Sequence, residues 1–578
     1  MRSIPARPNW LAAAALAALC ACSNRLAPPL GDASPIPPAR GGTLTVAQFV
    51  AVRSIDPAVA FDEGADPITR LVFGRLLSIS ESGEFVGDLA ESFHLSEDGL
   101  SLDLYLHRSA RFHDGTPVTA ADVKRSLERA LHPDTPCPAP SFFERLVGFD
   151  AFREGKTANL DGVVVTAEHH VVFRLQQPDA AFLAALTLPF ATPVCASAGT
   201  TYDPNFSLHA CGAGPFRLVN WQEQEAIVLA RHDGYYNSEL PYLDRVTWMF
   251  GVQNTTQRFR FERGDLDFVH ELSAADSAAF RSDPRWAPFG GWNEPRSTRG
   301  IFMNTRMPPF DRVEVRRAVA AAIDRDALAK LRAGHIIAAT SMVPSGVLGH
   351  DPSFEGQHYD LNAALRWMKQ AGYEYDPATG RGGYPDVIDY FVPADSFDMN
   401  VAEVFQQQLA RIGIRIQLHA MSWTAWLART GRPNESRMGG DGWAADFDDP
   451  SDFFDPIFST RAIQPEESQN RAFFSNAELD RLLDTARREL DPVRRRALHR
   501  RADEIVRDEA PWAVAYGYRY YDVWQPYLHG FKPHPRVQQQ VGFTWLDEVR
   551  KRRALQARHA PPGSLSVLAL ALSLRPPR

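Results

Sequence analysis

The chain has 578 residues, 44% hydrophobic and 23% charged, with a formal charge of −8 that becomes −10 once Arg2 and Arg7 leave with a leader. This is a globular composition, long enough for two or more cored lobes, and it excludes a disordered tail or a repeat array. Lys and Arg are scattered and offer no basic face to phosphates, so nucleic acid is excluded as a partner.

Arg2 and Arg7 precede the apolar run "WLAAAALAAL" (10–19). This is the basic-then-apolar layout of an export signal, too short to span a bilayer. Residues 1–21 are therefore expected to be a signal peptide. The run ends in "LCACS", with Leu19 three positions before Cys22 and Ala21 just before it. That stretch resembles the lipobox of bacterial lipoproteins. The resemblance implies that Cys22 becomes the lipidated first residue, anchored by acyl chains at ~0.8 kcal/mol per buried methylene. After Cys22, "SNRLAPPLGDASPIPPARGG" is rich in Pro, Gly and Ser and reads as a flexible tether over 22–42. The expected location is the periplasm or the outer face of the cell membrane.

Three cysteines remain in the body, Cys137, Cys195 and Cys211. Cys195 and Cys211 are closest in sequence, and a disulfide between them would close a loop worth about 3 kcal/mol. One thiol is left over. No CxxC, CxxH or HExxH pattern occurs, so no metal or other cofactor is expected.

In "SEDGLSLDLYLHRSARFHDGTPVTAADVKRSLERAL" (96–131), Leu102, Leu104 and Leu106 alternate as a half-buried strand after an Asp98-Gly99 turn. Asp114-Gly115 makes a second turn, and Thr119 with Asp122 predicts a capped helix to about Leu131. "GAGPFR" (212–217) starts like a dinucleotide fingerprint but lacks the third glycine and carries Pro215, so it predicts a turn into a strand. Asp311 with Glu314, and Ser475 with Glu478, predict capping boxes ahead of helices over 313–331 and 476–490. Val401, Val404, Phe405, Leu409 and Ile412 share a helical face stopped by Gly413, after which Ile414, Ile416 and Leu418 alternate as a strand. The apolar, small-residue tail 564–578, after the basic segment 551–563, is too short to span a membrane and is expected to be disordered or loosely attached.

Several stretches together resemble the family 5 extracellular solute-binding proteins of bacterial ABC importers, the oligopeptide- and dipeptide-binding type. "FHDGTPVTAADV" (112–123), "GAGPFRLVNW" (212–221), "RFERGDLDF" (260–268), "FMNTRMPPFDRVEVRRAVAAAIDRDAL" (302–328), "LARIGIRIQL" (409–418) and "GWAADFDDPSDFFDPIF" (442–458) follow in that family's order. The likeness runs from about Gly42 to about Phe531. It implies an α/β fold: a two-lobed periplasmic-binding-protein clamp, type II-like and class C, with mixed sheets. On that template lobe I takes 43–274, with an additional subdomain at about 78–200. Lobe II takes 275–510, residues 511–548 return to complete lobe I, and 549–578 form a tail. The implied partners are a peptide ligand, ABC permease subunits with their ATPase, and the membrane through the lipid anchor. A monomer is expected. With no second apolar segment near 20 residues and no GxxxxGK(S/T) loop, the chain is itself neither permease nor ATPase.

Residues 441–458 contain six aspartates, Asp441, Asp446, Asp448, Asp449, Asp452 and Asp455. An EF-hand starting at Asp446 would place Pro450 at position five and Ser451 at position six, so calcium is excluded. Two of the carboxylates could form a catalytic pair, but no supporting nucleophile accompanies them, and no catalytic residue is expected. The resemblance implies that Asp446, in "GWxxD", receives a ligand's α-amino group. It also implies that Trp443 and Trp423 wall side-chain pockets, that Gly442 and Ala444 present backbone to an extended peptide, and that Glu63 contributes from lobe I. Asp448, Asp449 and Asp452 are expected to hold turns and helix starts. Dipeptide-selective relatives carry an Arg just before the helix that begins here near Val401. Residues 382–410 contain no Lys, Arg or His. Longer peptides with a loosely held C-terminus are therefore expected, or a carboxylate partner elsewhere, such as Arg299 or Arg437. The alternative is the same fold with a non-peptide solute: a metal chelate, haem, glycan or opine.

Overall fold

The computed structural model describes residues 36–559 except 63, 81–83, 271, 348, 395 and 534–540. Cys22, the leader, Glu63 and the chain beyond 559 lie outside the described residues.

β1 (Thr43–Ala47) buries Leu44 and Val46 and opens the first sheet. The chain then builds a separate subdomain from β2 (Ala90–Leu95), β3 (Ser101–Leu106), α1 (Ala120–Leu131), β4 (Val163–Ala167) and β5 (His170–Arg174). Its strands form an antiparallel sheet in the order β2-β3-β5-β4. Leu102, Leu104 and Leu106 share one core with Val123, Leu127 and Leu131 of α1. The helix starts where the capping pair requires: Asp122 N–H donates to Thr119 Oγ1 at 3.3 Å, and Thr119 N–H donates to Asp122 at 3.0 Å. β6 (Phe216–Gln222), β7 (Ala226–Arg231) and β8 (Arg245–Met249) return to the first sheet, whose order is β1-β8-β7-β6 with β1 and β8 parallel. A disulfide joins Cys195 to Cys211, and Cys137 is a buried free thiol.

β9 (Phe268–Val269), α2 (Ala274–Ser282) and β10 (Gly290–Asn293) lead towards the second half of the molecule. There the chain lays down β11 (Ser297–Met303), α3 (Val313–Ala322), α4 (Arg325–Leu331), β12 (Ile336–Ala338), α5 (Leu361–Gln370), β13 (Val387–Pro393), α6 (Ser396–Ala410), β14 (Arg415–Met421), α7 (Trp423–Thr430), β15 (Met438–Ala444), α8 (Ser451–Phe458), α9 (Ala477–Arg488), α10 (Pro492–Glu509) and β16 (Trp512–Tyr518). Its mixed sheet has the order β12-β16-β11-β15-β13-β14. One core packs Val319, Phe405, Leu409 and Ile388, and a second packs Trp426, Phe453, Phe458 and Trp512. α6 runs into the Gly413 turn, at φ +76°, and then into β14, as the sequence predicts.

β16 stays bonded in this sheet through Tyr518, and β17 (Tyr520–Trp524) pairs with β9 and β10 instead. The crossings therefore fall at 294–296 and at Arg519, and we propose the lobe limits there rather than at 275 and 510.

Three local expectations are corrected. Asp311 does not cap α3, because the helix begins one position later, behind Arg312, with no side-chain cap. Ser475 turns to Thr460 at 2.9 Å, and Asn476 caps α9 in its place. The span 313–331 is broken at Ile323-Asp324, where Asp324 caps α4 through Ala327 N–H. The expected tail is also partly structured: α11 (Glu548–His559) docks on lobe I, with Lys551 Nζ donating to Thr43 O at 2.7 Å and to Asp267 at 2.9 Å.

The subdomain is tied to the first sheet by a buried ion pair. Arg129 on α1 grips Asp56 through two bonds of 2.9 and 2.7 Å, and both side chains are only 1% exposed. Removing one partner leaves an uncompensated buried charge. Asp56→Ala is therefore expected to lose about 3–5 kcal/mol in denaturant titration, whereas an exposed change such as Asp134→Ala stays within about 0.5 kcal/mol.

Candidate functional site

β15 pairs antiparallel with β11, setting Arg299 opposite Gly442, Thr298 opposite Trp443 and Ser297 opposite Ala444. Beyond Ala444 the chain leaves the sheet: Ala445 N–H still donates to Arg296 O at 2.7 Å, and the aspartate-rich loop follows. Phe447 of this loop is buried in the core of the lobe I subdomain, its ring 5.7 Å from Phe142. The loop therefore sits where the two lobes meet.

The six aspartates have different partners. Asp441 points into lobe II, pairs with Arg471 at 3.1 Å and accepts Gly442 N–H at 2.8 Å; burial raises its carboxyl above the usual range and Arg471 opposes this. Asp448 pairs with Arg296. Asp449 accepts Ser451 N–H at 2.9 Å, holding the start of α8, and is gripped by Arg495. Burial works against its charge, yet Arg495 keeps it below the ordinary carboxylate value. Asp455 pairs with Arg461 at 3.1 Å. Asp452 is fully buried in the first turn of α8 and accepts the backbone N–H of Asp446 at 2.8 Å. Burial, and then the neighbouring Asp446 carboxylate, push it well above the normal range.

Beside this loop, Trp443 is half-buried against the second core of lobe II. Trp423 is 46% exposed and stacks on buried Trp426 with centroids 5.0 Å apart. Arg471 lies over the Trp426 ring at 4.6 Å and pairs with Asp441, so a chain of contacts links Trp423 to Gly442. A Cβ on Gly442 would stand 2.2 Å from Arg299 Cγ, so only glycine lets the arginine cross the strand there. The Arg299 guanidinium then rests over Tyr518 at 4.0 Å, and Tyr518 Oη donates to Asp398 at 2.8 Å. Arg437, the other basic residue named from sequence, precedes β15 at its far end, roughly 20 Å along the strand from Ala444 at ~3.3 Å per residue. It borders a separate groove with Asp386, Asp389 and Glu435.

Sequence reading missed the bond between the lobes. Arg487, at the end of α9, is almost fully buried between lobe I carboxylates: it donates to Asp179 at 3.0 Å, to Glu144 at 2.6 Å and to Ser141 O at 3.3 Å. Ala180 N–H donates to Arg487 O at 2.8 Å, and Arg145 pairs with Asp484. Burial opposes the guanidinium charge, but Asp179, Asp455 and Glu144 together hold Arg487 above its ordinary value. Its partners lie more than 300 positions away, and no local pattern signals them.

Residues 84–465 match the bacterial extracellular solute-binding proteins, family 5, middle region. The chain belongs to this family. The glutathione-binding protein GsiB of Pectobacterium atrosepticum is 27% identical to it over 486 residues, covering 83% of this chain and 89% of the relative. Among solved structures, the oligopeptide-binding protein AppA of Bacillus subtilis in complex with a nonapeptide superposes with a TM-score of 0.77 at 21% identity, covering 89% of this chain and 100% of that one. PBP AgaA of A. tumefaciens R10 in complex with agropinic acid gives 0.73 at 23% identity, covering 88% and 99%. The fold is the two-lobed one of these binding proteins. The family 5 relatives are solute-binding receptors rather than enzymes, and no helix among the described residues is long and apolar enough to cross a membrane.

Arg487→Met removes the cation that Asp179 and Glu144 share, leaving Asp179 without it while Arg461 stays 3.3 Å from Glu144. It is expected to shift the balance towards the open form by about 3–5 kcal/mol. In small-angle X-ray scattering the ligand-free variant should have a larger radius of gyration than wild type; equal radii would show that the pair does not hold the lobes together.

Proposed function

We propose that this family 5 protein is the receptor of an ABC importer for peptides with a free amino terminus, acting as a monomer and performing no chemistry on its ligand. The observation that carries this reading is the placement of Asp446 beside fully buried Asp452 at the lobe junction. Two neighbouring carboxylates make a seat of negative potential, and an ammonium with three donors is the complementary group. Trp443 and Trp423 offer apolar walls for ligand side chains. Gly442 and Ala444 present backbone to an extended chain, which would add as a strand. Glu63 is proposed to approach from lobe I. Arg299, beside Gly442, is the nearer of the two basic residues for a ligand carboxylate. The names of GsiB and AppA, one a glutathione binder and the other an oligopeptide binder, support a peptide ligand.

Ligand contacts with both lobes would favour the closed form, which a permease reads; a ligand shifts the equilibrium only by contacts it lacks in the open form. Lipidation at Cys22 would hold the receptor at the membrane outside the cytoplasm.

Asp446→Ala is expected to weaken peptide binding by about 2–5 kcal/mol, mostly through the ligand charge left unpaired. Acetylating the peptide's amino terminus should weaken wild-type binding comparably in titration calorimetry. Equal affinity for both peptides would sink the amine assignment. Tighter binding of an amine-free solute such as agropinic acid would favour the non-peptide alternative.

Cys22→Ala is expected to move the protein from the membrane fraction to the soluble fraction on cell fractionation. Retention in the membrane fraction would refute the lipid anchor.

A further inference from the structure

A cavity of about 380 Å³ lies at the end of lobe II away from the cleft, between α3, α5, the last turn of α10 and the loop before α5. Gln357, one of its lining residues, locates it: Nε2 donates to Trp512 O at 2.8 Å, at the opposite end of β16 from Tyr518. That separation is ~20 Å at ~3.3 Å per residue. Val315, Ala318, Val319 and Ala322 of α3 form its core stripe, so Arg317 and Ala321 fall on the opposite face, with Ala320 at its edge. The two alanines and Gly356 bring no large side chain to the cavity, which leaves its space open. Gly356 is glycine of necessity, because a Cβ there would stand 2.1 Å from Thr340 O.

The charged groups of this cavity do not cancel. Arg507 pairs with Asp508 at 2.7 Å and donates to Glu355 O at 3.0 Å. Arg316 and Arg317 both cap the C-terminal turn of α10, Arg316 Nε on Glu509 O at 2.8 Å and Arg317 Nε on Asp508 O at 2.6 Å. Arg316 also meets the Glu509 carboxylate at 3.1 Å, whereas Arg317 enters no ion pair among the described residues. Its guanidinium lies over the Trp367 indole, 5.2 Å from the ring centre. The cap engages Nε alone, and the two terminal nitrogens of Arg317 make no other hydrogen bond among the described residues. Exposed His358 also lines the cavity and can donate a further hydrogen bond.

We propose that this cavity is a second ligand site, for a small organic anion: Arg317 receives a carboxylate or phosphate through its terminal nitrogens, and Trp367 packs against the ligand's apolar body. A guanidinium fork matches two oxygens of either group. The indole supplies broad apolar surface beside that charge. The volume stands at the lower end of the ~300–1,000 Å³ of ligand sites, so the fit is to a single ring or short chain rather than to a peptide. None of these residues belongs to the proposed peptide seat, and the inference is independent of the peptide reading.

The test is titration calorimetry of the full-length protein at neutral pH and low salt, with benzoate, phenyl phosphate and neutral benzyl alcohol as probes. At least one anion should bind wild type, about tenfold or more tightly than benzyl alcohol. Binding of benzoate alone assigns the site to carboxylates, and binding of phenyl phosphate alone assigns it to phosphate esters. Arg317→Gln keeps a donor for Asp508 O and removes the charge, and should weaken the bound anion by about tenfold. Trp367→Leu leaves the cap of α10 intact and should weaken it by about two- to tenfold. Thermal melting checks that each variant folds; if Arg317→Gln does not, Trp367→Leu and the neutral probe decide. Failure of both anions to bind more tightly than benzyl alcohol overturns the inference, as does either folded variant binding them as tightly as wild type.

Discussion

The pairing of Ser297–Met303 with Met438–Ala444 is the constraint on which the rest of the molecule depends. It joins segments about 140 residues apart in the middle of the lobe II sheet, and it fixes which side chains share the cleft end of that sheet. Arg299 can cross the neighbouring strand only because the residue opposite is Gly442. The loop that leaves this strand is aimed at lobe I, where Phe447 is buried in the subdomain core. A change of register by one residue would turn Arg299 and Trp443 to the opposite face and withdraw the aspartates from the junction.

Within that loop, the partner of each carboxylate decides its role. Asp441, Asp448, Asp449 and Asp455 are each matched by an arginine, and these pairs hold the strand end and the start of α8. Asp452 instead serves a backbone N–H and lies against a second carboxylate. The expectation that Asp449 shapes the turn agrees with its bonds to Ser451. Asp452, likewise, bonds a nearby backbone N–H, that of Asp446, as expected of a residue that holds the turn.

The lobes are joined by charge as well as by apolar contact. Arg487 and Asp179 are both nearly inaccessible in this arrangement, so separating the lobes returns them to water. Hydration of the separated ions offsets most of what the pair contributes, and the net preference for the closed form is correspondingly modest. Such a balance suits a receptor that must open to load and release, because ligand contacts of a few kcal/mol are then enough to shift it.

The elements encoded by neighbouring residues were legible without a structure. The Thr119–Asp122 box, the Leu102–Leu106 strand and the helix stopped by Gly413 all depend on contacts within a few positions. Where a side chain had a competing partner, local spacing misled: Ser475 bonds Thr460, and Asn476 takes over the cap. The helix at 548–559 has no apolar stripe to announce it and is held by Lys551 reaching Thr43 and Asp267 nearly 300 or more positions away. By itself the sequence determined the family and the two-lobed plan, because ordered motifs and local periodicities survive in one dimension. Only the tertiary structure decided which aspartates are neutralised, that Arg299 rather than Arg437 stands beside Gly442, and that Arg487 joins the lobes. Those outcomes depend on distances between residues far apart in the chain, where burial and a few ångströms govern the strength of a charge.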